Sequence, residues 1–348
     1  MKERVRIGVV GCGYWGPNLI RNFAEISESE LVAVADLQED RLAYIITRYP
    51  GVKAIRNYED LFEMGLDAVV VATPPSQHYA IALDCLKHGL HALVEKPFTL
   101  NSNHAQELVK VSREKGRVLM VGHVFEYNSA VHALKEIMDS GELGEICYIS
   151  TQRLNLGAFN PALNVLWDLA PHDISILRFL LGADPVQISA SGASVIQPDV
   201  IEIAFMCMLF PNNVHSHSRL SWLDPRKVRE VTVVGDRKMA VYDDVSLDER
   251  IRIYDKGVDR PYTDSLGEFH FQYHHGDVVI PAVKFREPLR EECEHFLQCV
   301  KTGDSPRTDG CNGLAVVRIL EAAEASMRDG GGLRLVGLEE DRNVLGCD

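Results

Sequence analysis

Residues 5–19 read VRIGVVGCGYWGPNL, an apolar run followed by three closely spaced glycines. The run from Val5 to Val10 has the length and composition of a buried parallel strand. Gly11, Gly13 and Gly16 follow it with the spacing G-x-G-x-x-G. Pro17 then begins a segment whose apolar residues recur at helical spacing. Strand, glycine loop and helix in this order predict a Rossmann domain that holds a dinucleotide pyrophosphate at the helix N-terminus.

An acidic residue at the end of the next predicted strand supports this interpretation. The stretch LVAVAD ends in Asp36, twenty residues after Gly16. A carboxylate at this place accepts hydrogen bonds from the ribose hydroxyls and repels a 2′-phosphate, so the sequence predicts NAD as the cofactor. Arg41 follows five residues later and leaves NADP open as an alternative. An ordinary strand-end residue or helix cap is the other interpretation of Asp36.

Composition limits the class of protein. At 348 residues the chain is long for a single core, which predicts two domains. A net charge of −14 with scattered positive residues argues against nucleic-acid binding. No apolar segment has the length of a membrane span, so we expect no membrane partner. The eight cysteines contain no C-x-x-C pair and no histidine group has ligand spacing, which favours reduced thiols, a cytoplasmic location and no metal site.

The order of predicted elements indicates two kinds of sheet. The first third alternates strand and helix, including a strand from Asp67 to Thr73 and a helix with Ser76 as its cap and Gly89 at its end. After about residue 123 longer alternating strands appear, interrupted by the helix WDLAPHDISILRFLLG and followed by two helices. The sequence therefore predicts an α/β fold with two domains. Residues 1–122 form a Rossmann domain with a doubly wound parallel sheet, and residues 123–348 an α/β domain with a large, open, mainly antiparallel sheet.

Two groups of residues are candidates for chemistry. Lys96 lies at the end of a predicted central strand, where it can hydrogen-bond a substrate hydroxyl or remain an ordinary surface lysine. Asp168 and His172 are four residues apart, which places them on one helix face. A carboxylate beside an imidazole orients it and stabilises its cation, as a general base requires, although such pairs also stabilise many surface helices.

The motifs G-C-G-Y-W-G, A-T-P-P-S-x-H, E-K-P and W-D-L-x-x-H-D, in this order, resemble those of the Gfo/Idh/MocA oxidoreductases. The resemblance covers essentially the whole chain. It implies that Lys96 and His172 flank the substrate carbinol, with Asp168 supporting the histidine. It further implies a set of residues around the cofactor besides the glycines and Asp36: Tyr14, Trp15, Thr73, Pro74, Pro75, His78, Glu95 and Lys96. In this interpretation the glycine loop holds the cofactor of a hydride-transfer enzyme.

The substrate is predicted from weaker signals. The stretches GYWGPNLIRNF and SWLDPRKVREVTVVG resemble the branch of the family that acts in polysaccharide and deoxysugar pathways, where a nucleotide-activated sugar is oxidised at C3 or a keto sugar is reduced. Arg153 and Trp167 lie near the predicted catalytic helix and are candidates for substrate contact, although Trp167 also suits a core position. A second basic group suits either a diphosphate or a solvated strand face: Arg219, Arg226, Lys227 and Arg229.

Three alternatives to a nucleotide-sugar dehydrogenase stay open at this point. They are an inositol or free polyol dehydrogenase, an NAD-dependent glycosidase, and a regulator that binds NAD without catalysis. The predicted partner is a small-molecule sugar. The resemblance and the open sheet also lead us to expect a homodimer or homotetramer.

Overall fold

The computed structural model describes residues 4–157, 163–259 and 272–337, which divide into two compact units. The first unit contains residues 4–127 and the later segment Arg286–Arg318. The second contains Asn128–Phe285 and Ile319–Gly337. The chain first changes unit within a few residues of the predicted boundary at 122/123. Its return to the first unit at Arg286 differs from the predicted division, in which all of 123–348 forms one domain.

Helices and strands alternate early in the chain and separate later. The helices are α1 (Gly16–Glu25), α2 (Glu39–Arg48), α3 (Pro75–Lys87), α4 (Ser102–Glu114), α5 (Ser129–Asp139), α6 (Val165–Leu181), α7 (Pro288–Thr302) and α8 (Gly310–Arg328). The strands are β1 (Val5–Val10), β2 (Ser29–Ala35), β3 (Lys53–Ile55), β4 (Ala68–Val71), β5 (His91–Val94), β6 (Leu119–Val121), β7 (Ile146–Leu156), β8 (Gln187–Ala193), β9 (Ile203–Leu209), β10 (His215–Ser221), β11 (Leu223–Gly235), β12 (Met239–Asp243), β13 (Ile251–Asp259), β14 (Gln272–Val279) and β15 (Arg334–Leu335). Short 3₁₀ helices cover Tyr58–Glu63, Val124–Tyr127 and Pro211–Asn213.

The first unit is built on a six-stranded sheet in the order β3-β2-β1-β4-β5-β6. All of its strand pairs are parallel, which confirms the predicted doubly wound sheet. The order reverses between β1 and β4, and ligands of open α/β sheets bind beside the carboxyl ends of the strands at such a switch point. The glycine loop follows β1 at this place.

Helix α7 explains why the chain returns to the first unit. Its apolar side chains Leu289, Cys293 and Phe296 belong to the same buried cluster as Phe23 of α1. The rings of Phe23 and Phe296 meet edge to face, with centroids 6.4 Å apart. The sequence predicts a helix in this segment, but it does not specify the surface against which the helix packs.

Helix α3 begins differently from the prediction. Pro74 occupies the N-cap position and Pro75 the first turn, so Ser76 is not the cap, and no side chain among the described residues caps the helix. Proline suits the first turn because its missing N–H would have no helical partner. The predicted end is close to the observed one: α3 ends at Lys87 and Gly89 has a φ of +78°.

The second unit contains a nine-stranded sheet in the order β14-β13-β12-β11-β7-β10-β9-β8-β15. Its strand pairs are antiparallel except β7 with β10, which confirms the predicted mainly antiparallel sheet. The strand β15 was not predicted, because two residues are too few to show the alternation of apolar and polar side chains that indicates a strand.

Helix α6 corresponds to the predicted interrupting helix. The side chain of Asn164 caps its N-terminus by accepting the Trp167 N–H at 3.1 Å, and Gly182 ends it with a φ of +60°. Pro171 lies inside the helix and removes one backbone hydrogen bond there. The helix therefore presents Asp168 and His172 one turn apart, as predicted.

Six of the described cysteines carry free thiols, and Cys311 is disulfide-bonded. The disulfide at Cys311 departs from the expectation of reduced thiols at that residue. No helix in the described ranges has the length and apolarity needed to cross a membrane.

Candidate active site

The loop between β1 and α1 requires glycine at two positions. Gly11 has a φ of +101°, and a Cβ on it would lie 2.5 Å from the Ala72 carbonyl oxygen. A Cβ on Gly16 would lie 2.0 Å from the Gly11 carbonyl oxygen. These contacts involve backbone atoms, so no side-chain movement relieves them. At Gly13 a Cβ would meet only the Arg41 guanidinium, at 3.5 Å, which leaves this face of the loop open for a ligand to approach.

Asp36 follows β2 and is held beside the glycine loop. Its Oδ2 accepts the Cys12 N–H at 2.7 Å and its Oδ1 accepts the Gln38 N–H at 2.9 Å. Arg41 Nη1 lies 3.7 Å from Oδ2. A carboxylate offers about four lone-pair sites, so two backbone bonds leave capacity for ribose hydroxyls. Next to this carboxylate, a cleft of about 310 Å³ is lined in part by Gly13, Tyr14 and Arg41.

The loop that follows β4 offers an unused polar atom. The Thr73 hydroxyl is buried and has no hydrogen-bond partner among the described residues. Buried hydroxyl groups are normally paired, so this one fits a ligand group. Together with the glycine cradle and Asp36, it meets the requirements of a bound dinucleotide: a close approach for the pyrophosphate, an acceptor for the ribose, and a donor beyond β4. Pro74 and Pro75 continue the same loop into α3.

Glu95 and Lys96 follow β5, the neighbouring strand. Glu95 Oε2 accepts the Lys96 N–H at 3.2 Å, and its carboxyl also pairs with the Trp15 side chain. A Cβ on Gly122 would lie 3.0 Å from this carboxyl, so glycine makes room for it. Burial raises the pKa of Glu95 to about 7, against an opposing effect of the Lys96 charge.

His78 lies behind these loops rather than on their accessible surface. Its side chain is fully buried, with Nδ1 2.9 Å from the Pro97 carbonyl oxygen and Nε2 2.8 Å from that of Thr73. The expectation that His78 lines the cofactor therefore needs correction, since both ring nitrogens face backbone carbonyls. The residue connects the loop that carries Thr73 to the loop that carries Lys96. Burial lowers its pKa.

Two aromatic residues of the glycine loop differ in environment. Tyr14 is 96 % exposed and borders the cleft next to Gly13, whereas Trp15 is 37 % exposed and reaches Glu95. Tyr14 is thus available to cover a ligand. Trp15 also connects the loop to the residues that follow β5.

The second unit holds the other candidate catalytic group, on α6. Asp168 and His172 are both partly accessible. Asp168 Oδ2 accepts a hydrogen bond from the Trp222 indole at 3.2 Å, and the His172 carbonyl accepts one from Ser175 at 2.9 Å. The neighbouring Asp173 is fully buried and faces the sheet instead.

Arg153 is the partner of Asp173. Its Nε and Nη2 lie 3.0 and 2.8 Å from Asp173 Oδ1, and both side chains are buried. This engagement argues against the predicted direct contact between Arg153 and the substrate. Trp167 is 6 % exposed, in agreement with the core alternative rather than with stacking on a sugar.

In the second basic group of the sequence analysis, two of the four residues form ion pairs with aspartates. Arg219 pairs with Asp224 at 3.1 Å, and Arg229 pairs with Asp244 at 3.3 Å. Arg226 and Lys227 are exposed between them. This arrangement favours a solvated strand face over a diphosphate site.

Sequence reasoning missed a buried polar group beside β6. His123 Nδ1 lies 2.9 Å from Asn312 Oδ1, and Asn312 donates to Glu126 at 3.2 Å. Glu292 is buried nearby, and its carboxyl has no hydrogen-bond partner in the described part of the chain. Burial, together with the charges of Glu95 and Glu126, raises its pKa well above the usual value. In the sequence, only the position of His123 directly after a predicted strand indicated this polar group. No three histidine, cysteine, aspartate or glutamate side chains in the described chain are grouped to hold a metal ion.

Comparison with protein families agrees with this architecture. Residues 5–123 match the oxidoreductase family with an NAD-binding Rossmann fold, and residues 131–241 match the Gfo/Idh/MocA C-terminal domain. The chain belongs to the Gfo/Idh/MocA oxidoreductase family. It is therefore an NAD-binding oxidoreductase, as the sequence motifs predicted.

Three relatives illustrate the range of the family. UDP-N-acetylglucosamine 3-dehydrogenase from Acidithiobacillus ferrooxidans is 28% identical over 328 residues, covering 92% of this chain and 95% of that protein. Its solved structure superposes with a TM-score of 0.75 at 26% identity, covering 93% of this chain and 99% of that one. Myo-inositol 2-dehydrogenase from Thermotoga maritima is 23% identical, covering 97% of this chain and 99% of that protein. GenD2 from gentamicin A biosynthesis, solved in complex with NAD, has the same fold: TM-score 0.81, 22% identity, and coverage of 96% and 97%.

Proposed function

We propose that this protein is an NAD-dependent dehydrogenase that oxidises a secondary alcohol of a nucleotide-activated sugar, at C3, in polysaccharide or deoxysugar biosynthesis. The observation that carries the proposal is the similarity to UDP-N-acetylglucosamine 3-dehydrogenase across 92% of the chain, including both units. The residues that suit alcohol oxidation are present in each unit: Lys96 in the first, and Asp168 and His172 in the second.

The proposed roles follow from the chemistry of these side chains. The Lys96 ammonium donates a hydrogen bond to the substrate hydroxyl oxygen. The neutral His172 imidazole accepts the hydroxyl proton as the C–H bond breaks, and Asp168 stabilises the resulting imidazolium. The bound nicotinamide supplies the acceptor for the hydride. In the direction of ketone reduction, His172 returns the proton to the oxygen.

The cofactor is held by residues of the first unit in this proposal. The loop from Gly11 to Gly16 takes the pyrophosphate, and Asp36 takes the adenosine ribose. Thr73 donates to the nicotinamide half, and Glu95 contacts its ribose. Tyr14 covers the dinucleotide from the solvent side.

A panel assay tests this function. Purified protein with NAD⁺ is given UDP- and dTDP-linked hexoses, UDP-N-acetylhexosamines and their uronic acids, free inositols and aryl glycosides, and NADH is followed by absorbance and fluorescence. The proposal predicts reduction of NAD⁺ by a nucleotide sugar and inhibition of this reaction by the free nucleotide diphosphate. It also predicts that Lys96→Met and His172→Ala each lose the reaction. Turnover of inositols alone supports the second candidate, which the similarity to myo-inositol 2-dehydrogenase favours. Released aglycone indicates a glycosidase, and NAD binding without any turnover indicates a regulator.

We also propose that the protein assembles as a homodimer or homotetramer. Tyr148 and Phe205 are about half exposed on the sheet of the second unit. Large exposed apolar side chains on an open sheet favour burial against a second copy. Light scattering after gel filtration tests the oligomeric state, and a cytoplasmic location stays a prediction.

A further inference from the structure

We propose that Trp222 is a positioning residue for the proton transfer at His172, acting through the carboxylate of Asp168. This inference rests on the proposed function, because it concerns the orientation of Asp168, which that function pairs with the general base His172. Trp222 lies between β10 and β11 and is 1 % exposed. Its Nε1–H donates to Asp168 Oδ2 at 3.2 Å. The indole nitrogen can only donate, so the direction of this bond has no alternative.

The position of the indole is itself fixed by the backbone. The Trp222 N–H donates to the Glu202 carbonyl at 3.0 Å, and the Trp222 carbonyl accepts the Gly157 N–H at 3.0 Å. A Cβ on Gly157 would lie 3.1 Å from the indole Cδ1, so glycine lets the chain approach the ring closely. With both backbone groups engaged and the ring buried, Trp222 has little freedom to follow a movement of Asp168.

Glu202, whose carbonyl accepts the Trp222 N–H, is itself held in place through its side chain. Its buried carboxylate accepts the N–H groups of Val195, Ile196 and Gln197, each at 2.7 Å. Hydrogen bonds to an ionised carboxylate are about twice as strong as neutral ones. The segment that carries the Glu202 carbonyl is therefore rigid, and the rigidity extends through Trp222 to Asp168.

The consequence for catalysis concerns the orientation of one carboxylate. Asp168 and His172 are one helical turn apart, and residues at this spacing share a face. With Oδ2 bonded to the indole, the Asp168 carboxyl plane cannot rotate freely about its side chain. A fixed carboxylate stabilises the imidazolium of His172 without reorganising during proton transfer, which is the purpose of supporting residues around a catalytic pair.

The test is a double-mutant cycle read by steady-state kinetics with the substrate from the panel. Trp222→Phe removes the N–H donor and keeps an aromatic ring, and Asp168→Ala removes the acceptor. We expect Trp222→Phe to lower kcat about 10- to 100-fold, the loss typical of one hydrogen bond to a charged group, with the KM for NAD⁺ within about twofold of wild type. In the Asp168→Ala background the same substitution should change kcat less than about twofold.

The matched control is Phe210→Leu, which removes a buried ring of the second unit without touching Asp168. We expect it to lower the melting temperature as Trp222→Phe does while leaving kcat within about twofold of wild type. A kcat loss for Trp222→Phe that is equal in both backgrounds, or a kcat unchanged from wild type, overturns the positioning role alone. Absence of turnover by the wild type with every substrate overturns the proposed function, and the role of Trp222 falls with it.

A second measurement tests the hydrogen bond between Trp222 and Asp168 by NMR and needs no substrate. The protein has three tryptophans, so its ¹⁵N spectrum contains three indole signals, and Trp222→Phe identifies the relevant one by its loss. This signal should move in Asp168→Ala and stay in place in Phe210→Leu. A signal that is unaffected by Asp168→Ala contradicts the hydrogen bond and therefore the inference.

Discussion

Replacing Glu95 by glutamine should stabilise the cofactor-free protein at high pH. Burial raises the pKa of the Glu95 carboxyl from 4.5 to about 7, so the folded state binds its proton more tightly than the unfolded chain. Below about pH 4.5 both states carry the proton and no energy is lost. As the pH rises from about 4.5 to about 7, the unfolded chain ionises first and the folded state loses stability. Above about pH 7 the loss is complete.

The magnitude follows from the difference between the two pKa values. Between 4.5 and about 7 it corresponds to about 3 kcal/mol of unfolding free energy, at 1.36 kcal/mol per pKa unit. Glutamine keeps an oxygen that accepts the Lys96 N–H and the Trp15 hydrogen bond, but it does not ionise. Glu95→Gln should therefore gain up to about 3 kcal/mol at pH 8 and less than about 1 kcal/mol at pH 5.

Urea unfolding of the cofactor-free protein at pH 5 and pH 8, followed by tryptophan fluorescence, measures this difference. Glu63→Gln is the matched control because it removes the same charge from an exposed position of the first unit. A gain for Glu95→Gln that is equal at both pH values, or a loss at pH 8, refutes the reasoning that burial dominates the environment of Glu95.

Two further substitutions test the cofactor site. His78→Ala should lower the unfolding free energy by about 2–4 kcal/mol and weaken NADH binding measured by fluorescence. The reason is that it leaves a cavity and removes the imidazole from between two backbone carbonyls. His78→Gln should recover part of the stability and part of the NADH affinity. Unchanged NADH affinity in a folded His78→Ala protein contradicts its support of the cofactor loops. Asp36→Ser should weaken NADH binding about 10- to 100-fold and strengthen NADPH binding, since it removes the ribose acceptor and leaves Arg41 without its partner at 3.7 Å. An unchanged ratio of the two dissociation constants contradicts the assigned role of Asp36.

The parts of the molecule that local sequence rules govern were predictable. The strand Val5–Val10, the glycine loop and the acid at the end of β2 follow one another within 36 residues, and the observed structure has each of them in place. The spacing of Asp168 and His172 likewise defines their common face as soon as α6 is recognised. These features depend on backbone conformation and on periodicity, which the sequence displays directly.

Features that depend on distant contacts were not predictable. The burial of Arg153 is set by Asp173, twenty residues away on a helix, and that of His78 by the carbonyls on two loops. A charged or polar residue near a predicted site looks accessible in the sequence until its partner is known. The return of α7 to the first unit has the same cause, because an apolar helix face does not specify the surface against which it packs.

The proposed oxidation of a nucleotide sugar at C3 is tested most directly by following hydride transfer from that carbon to the cofactor. UDP-N-acetylhexosamine deuterated at C3 is incubated with NAD⁺ and the protein, and the reduced cofactor is analysed by mass spectrometry, with His172→Ala beside it. Oxidation at C3 predicts NADH one mass unit heavier with the wild type and little product with the variant. Reduced cofactor without deuterium would place the oxidation at another carbon, and no reduced cofactor from any nucleotide sugar would contradict the proposed function.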